Sequence, residues 1–136
     1  MSVLQEKSEN FAVRIVNLSR FLYKKQEYDI SRQIKRSGTS IGANITEAIY
    51  GISKKDYLAK MYIAFKECNE TMYWLRVLHK TNYLSEEEFN SINNDCTELV
   101  KMLTSTIKTT KQNIDNNSKP APTPTVTEPV VSTLTC

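Results

Sequence analysis

ISRQIKRSGTSIGANITEAIYG, residues 30–51, is the stretch whose reading decides the fold. It holds Gly38 and Gly42 inside an otherwise helical pattern. Each glycine costs a helix roughly 1 kcal/mol relative to alanine, so a loop is the obvious first reading. Periodicity argues against it. At 3.6 residues per turn, Ile30, Ile34, Ile41, Ile45 and Ile49 fall in one arc, and the register runs through both glycines without slipping. A loop has no reason to keep phase. A second arc runs along one edge of the isoleucine face: Gln33, Ser37, Ser40, Asn44 and Glu47, at steps of four and three. Small and polar groups in such a row let another backbone come close and hydrogen-bond across the seam. Gly38 and Gly42 form a G-x-x-x-G that also permits close helix contact. The expectation is a continuous helix whose packing or oligomer seam takes in Gln33, Ser37, Gly38, Ser40, Ile41, Gly42, Asn44 and Glu47. It is either tightly packed within its own bundle or covered additionally by a neighbouring subunit.

Working outward, the four prolines of the 136-residue chain all lie at or beyond Pro120, which favours long helices over a turn-rich β fold. Phe11, Ile15, Leu18, Phe21 and Leu22 mark a first helix over about Glu9 to Lys24. After a connector, Lys25–Tyr28, the second helix is capped by Asp29 or Ser31 and stopped by Gly51. Ser53 and Asp56 suggest the start of a third helix over about 54–81, striped by Leu58, Met61, Phe65, Cys68, Met72, Leu75 and Leu78. Ser85-Glu86-Glu87-Glu88 opens a fourth, with Phe89, Ile92, Cys96, Leu99, Leu103 and Ile107 on one face, fading near Asn113. Short connections make antiparallel neighbours, so residues 1–113 are expected to form an all-α, up-down-up-down four-helix bundle. Residues 114–136, rich in Pro and Thr, are expected to be a disordered tail in which Val130, Val131 and Leu134 are the only docking candidates.

The third helix offers partners for the polar row. Glu67, Glu70 and Trp74 lie on one side of it, within reach of Arg36, Gln33 or Asn44 across the seam. Such a network would set the register of the two helices more than it would add stability.

Charge is uneven. The first 60 residues hold 11 Lys and Arg against 6 Asp and Glu, within a chain of net charge +3. Arg32, Lys35 and Arg36 cluster on the second helix, and Lys24, Lys25, Lys54 and Lys55 mark helix ends. These seven are the candidate contacts to RNA or DNA, in a phosphate-led and salt-sensitive mode. The competing reading is a solubilising surface. No run of 18 apolar residues exists, so no membrane partner is expected. The N-terminus carries charge where a signal peptide needs an apolar segment. Three cysteines without a CxxC suit reduced thiols, Cys68 and Cys96 as core fillers and Cys136 exposed. Together these features point to the cytoplasm.

Catalytic chemistry finds little footing. A di-metal carboxylate bundle needs two Glu-x-x-His pairs, and His79 is the sole histidine, preceded at three residues by Arg76. Zinc lacks its usual Cys and His pairing. His79 sits beside Lys80 at a helix end, a capping position rather than a triad member. Glu67 and Glu70 could form an acid–base pair only inside a pocket that nothing in the sequence shapes. No phosphate-binding loop, dinucleotide fingerprint or nucleophile elbow occurs. The expectation is a non-enzyme without cofactor or metal.

At QIKRSGTSIGANITEA, followed by SKKDYLAKMYIAFKECNETMYWLRVL, the chain resembles the four-helix-bundle proteins encoded within intervening sequences of bacterial 23S ribosomal RNA genes. Gln33, Arg36, Ser37, Ser40, Ile41, Asn44, Ile45 and Glu47 match that pattern, as do Ser53, Asp56, Tyr57, Ala64, Glu67, Glu70 and Trp74. Ala48 and Ile49 stand where many members have glycine. The resemblance spans about residues 8–112. It implies a left-handed bundle that assembles into a ring, typically a homopentamer. It also implies kinship with the accessory protein of diversity-generating retroelements, a basic pentamer that binds a reverse transcriptase and nucleic acid. The functional expectation is a self-assembling scaffold or adaptor. The alternative is a basic ring that binds RNA or DNA in association with ribosomal RNA or a reverse transcriptase.

Overall fold

The structure, a computed structural model, describes residues 1–118. Four helices follow one another: α1 (Val3–Lys24), α2 (Tyr28–Ile49), α3 (Lys54–Lys80) and α4 (Glu86–Ser118). Three begin at serines. Ser2 Oγ accepts from the Gln5 amide while Gln5 Oε1 accepts from the Ser2 amide, a reciprocal capping box. Ser85 and Glu88 repeat it at α4, and Ser53 Oγ accepts from the Asp56 amide at α3. Burial fixes the rest. Phe11, Ile15 and Leu22 of α1, Ile34, Ile41 and Ile45 of α2, Met61, Leu75 and Leu78 of α3, and Leu99, Leu103 and Ile107 of α4 are all fully enclosed. They form one core, with Cys68 and Cys96 as small apolar fillers; Cys96 Sγ lies 3.5 Å from the Cys68 carbonyl across the α3–α4 seam.

Each helix packs closely on the next, and α1 meets α4 more loosely. This is the up-down-up-down bundle, with α1 and α3 across the core from each other. The looser seam is spanned by ion pairs: Lys7 Nζ to Glu98 Oε1 at 3.0 Å and Arg14 Nη1 to Asp95 Oδ2 at 2.7 Å.

α2 is unbroken through both glycines. The reason is steric. A Cβ on Gly38 would sit 2.6 Å from Ile15 Cγ2, inside van der Waals contact, and one on Gly42 would sit 3.2 Å from Ser8 Oγ. The G-x-x-x-G therefore serves α1 of the same chain.

Three boundaries differ from expectation, and a fourth, the stop of α2 at Gly51, holds for a different reason. α1 starts six residues before Glu9, because Leu4 and Ser8 extend the buried stripe upstream of Phe11 and the Ser2 box closes it. α2 starts at Tyr28 without a side-chain cap bond, and Ser31 instead donates to the Ser19 carbonyl at 2.7 Å. Gly51 follows α2 without a left-handed backbone; a side chain there would collide with Asp56 and approach the Ala48 carbonyl. The left-handed turn residues are Gln26 (φ 63°) and Asn82 (φ 69°). Finally, α4 continues through Ser118, so residues 114–118, expected in the tail, are helical, and Ile114 is half-buried. The remainder of the expected tail, with Val130, Val131, Leu134 and Cys136, lies outside the described residues.

Candidate functional site

α2 shows a different flank to each neighbour. Toward α1 it presents Ser31, Gly38 and Gly42. Toward α3 it presents the polar row. Ser37 is fully buried there; the Thr71 hydroxyl donates to Ser37 Oγ at 2.8 Å. Arg36 forks across the seam, its Nη1 donating to Glu67 Oε2 at 2.9 Å and its Nη2 to Glu70 Oε2. Trp74 Nε1 donates to the same Glu70 oxygen at 3.2 Å. Lys60 Nζ pairs with Glu47 Oε1 at 3.1 Å. Ser40 and Asn44 bond back to their own helix, Ser40 Oγ to the Arg36 carbonyl and Asn44 Nδ2 to the Ser40 carbonyl. Gln33 is half-buried in the same row, and Ile41 faces the core.

Electrostatics follow from this geometry. Hydrogen bonds to Glu70 and then Glu67 raise the Arg36 guanidinium above its ordinary value. Desolvation acts against a charged Glu70, but the bonds from Arg36 and Trp74 outweigh it and hold the carboxyl below its ordinary 4.5. Both carboxylates are thus occupied as acceptors for one guanidinium. They are a structural clamp, not a free acid–base pair. His79 stacks on Phe89 (centroids 4.5 Å apart, planes at 9°) and places Nε2 3.2 Å from Glu86 Oε1 at the α3–α4 turn. Among the described residues, no group of three or more His, Cys, Asp and Glu side chains is arranged to hold a metal. Nor is any described helix long and apolar enough to cross a membrane.

The cations expected to face nucleic acid separate into four places. Arg36 does not join Arg32 and Lys35 on the outer side; its position in the row carries it to α3's carboxylates. Lys54 and Lys55 start α3 at the opposite end of the bundle from Lys24 and Lys25. Lys25 lies over the Phe21 ring, 5.7 Å from its centroid. Lys24, Arg32 and Lys35 do converge, on a groove of about 460 Å³ between α1 and α2. There they meet Arg20, Tyr23 and Tyr28, which the sequence reading missed. The available signal was spacing: Arg20, Tyr23 and Lys24 share one side of α1, and Tyr28, Arg32 and Lys35 one side of α2.

An antiparallel four-helix bundle with an Arg–Glu–Glu clamp between its second and third helices is the class of protein that the fold defines. Within that class the chain belongs to the family of 23S rRNA-intervening sequence proteins, whose model matches residues 2–105. It is also similar to a protein of unknown function from the S23 ribosomal protein family of Bacteroides thetaiotaomicron, solved by crystallography at 1.70 Å. The two are 54% identical, with a TM-score of 0.76 over 78% of this chain and 99% of that one. No curated protein matches.

Proposed function

We propose that the protein is a non-enzymatic scaffold that assembles with copies of itself into a closed ring, a homopentamer. The supporting observation is the placement of exposed apolar side chains on opposite flanks. Val3, Val13 and Phe21 stand out from α1, and Ile63 and Tyr73 from α3, across the core. Two unlike patches facing away from each other suit a head-to-tail contact, and head-to-tail contacts that close give rings. The α2–α3 connection adds Tyr50 and Ile52, the latter 99% exposed. The polar row and the glycine pair do not enter this contact, because α1 and α3 of the same chain already occupy both flanks of α2. Light scattering on the purified chain tests the reading. A mass five times that of the chain is expected, and Ile63→Asp with Tyr73→Asp should reduce it to one chain with helicity intact. A wild-type monomer at micromolar concentration overturns it.

A second reading, a ring that binds RNA or DNA, is favoured by one observation: four cations line a single groove between α1 and α2. Repetition around a ring would make weak contacts multivalent. Binding to RNA that weakens steeply with salt is expected; no binding at low salt overturns it.

A further inference from the structure

The groove between the end of α1 and the start of α2 combines features that a merely solubilising surface does not need. Arg20 and Lys24 stand on one wall and Arg32 and Lys35 on the other. One carboxylate answers them, Asp29, whose Oδ1 lies 3.1 Å from Arg32 Nη2. Tyr23 and Tyr28 meet edge to face in the same groove, ring centroids 4.8 Å apart and planes at 65°. Tyr23 is 64% exposed and Tyr28 47%, so each keeps part of its surface open. The groove is also anchored from below. Ser31 lines it and is buried, its hydroxyl donating to the Ser19 carbonyl at 2.7 Å, which fixes the separation of the two walls.

Four cations answered by one carboxylate, beside exposed aromatic rings, define a ligand with two parts, an anion and a planar group linked to it. Aliphatic anions would leave the rings unused, and apolar aromatics would leave the cations unused. The geometry points to this groove as a binding site for a nucleoside phosphate unit, phosphate on Arg20, Lys24, Arg32 and Lys35 and base against Tyr23 or Tyr28. The inference rests on the second reading above and deepens it by placing the contact and adding a stacking component. The unit can be a free nucleotide or one residue of a single strand. Duplexes, whose bases are already stacked, would use only the cations.

Fluorescence anisotropy of a labelled oligoadenylate against the full chain at low salt tests it, with AMP as competitor. Tyr23→Ala/Tyr28→Ala and Arg20→Gln/Lys35→Gln should each weaken binding about tenfold. Tyr23→Phe/Tyr28→Phe should bind like the wild type, because the ring faces remain. Lys54→Gln/Lys55→Gln, which removes as much charge at the far end of the bundle, should change binding less than about twofold. Displacement by AMP identifies the free nucleotide as sufficient, and failure of AMP to displace identifies the strand; both uphold the site. Equal losses in the groove and far-end charge variants, with the tyrosines indifferent, overturn the groove while leaving nucleic-acid binding standing. Absence of any binding by the wild type overturns both.

Discussion

Two glycines one turn apart in α2 have opposite sensitivities. Gly38 faces Ile15, a fully enclosed side chain with nowhere to move, so a methyl group there forces the helices apart. Overpacking of this kind costs about 1–3 kcal/mol and exceeds the roughly 1 kcal/mol that alanine returns through helix propensity. Gly42 faces the tip of Ser8, a short side chain able to rotate away from the Gln5 carbonyl to which it donates. Urea denaturation of Gly38→Ala and Gly42→Ala should therefore show the first less stable than the second by at least about 1 kcal/mol. Equal stabilities would mean that α1 and α2 are not in close contact. Gln26 offers the complementary case. Its left-handed backbone strains any residue with a Cβ, so Gln26→Gly should raise stability by up to about 1 kcal/mol in the same assay.

At the scale of the helix pair, the α2–α3 clamp makes stability depend on pH. Desolvation alone would raise the Glu70 carboxyl, but the Arg36 and Trp74 bonds prevail and lower it below 4.5. A group lowered by folding adds stability that is complete above its unfolded value and disappears as pH falls through its folded value. Melting temperature should thus be level above about pH 5 on this account and decline below 4.5, and Glu70→Gln should flatten part of that decline. Glu88 responds in the same direction: the Ser85 amide and then its hydroxyl stabilise the carboxylate, so Glu88→Gln should remove a further share. The clamp is half-exposed at Arg36, and solvent screening keeps its contribution to the order of 1 kcal/mol or less. Trp74, the single tryptophan, reports the event, because protonating Glu70 takes the charge off the acceptor and weakens its indole hydrogen bond. A decline in stability unaffected by Glu70→Gln would assign the acid transition to other groups.

For the whole molecule, the core is continuous and both Cys68 and Cys96 lie within it, fully buried. Thiol labelling of a Cys136→Ser variant should therefore proceed only through opening of the entire bundle, with both cysteines modified at one rate that rises in step with urea. Faster labelling of one cysteine would reveal local opening of the α3–α4 seam. α1 closes onto α4 partly through half-exposed ion pairs, so added salt should weaken this seam.

The chain's order of apolar residues was enough to specify four helices and their antiparallel succession, since the phase of buried side chains is written locally along each helix. The isoleucine register of α2 carried through two glycines for that reason, and Ser85-Glu86-Glu87-Glu88 fixed its helix start without help from elsewhere. The residues of the α2–α3 clamp were also legible, as rows at steps of three and four. What covers each flank was not. A row of small and polar residues signals a close neighbour without naming it, and only the packed bundle decides that Gly38 meets Ile15 and Arg36 meets Glu67 and Glu70 of the same chain. The groove of Arg20, Tyr23, Tyr28 and Lys35 was equally hidden, because it joins two helices whose relative rotation is set by the core beneath them and not by the residues that line it.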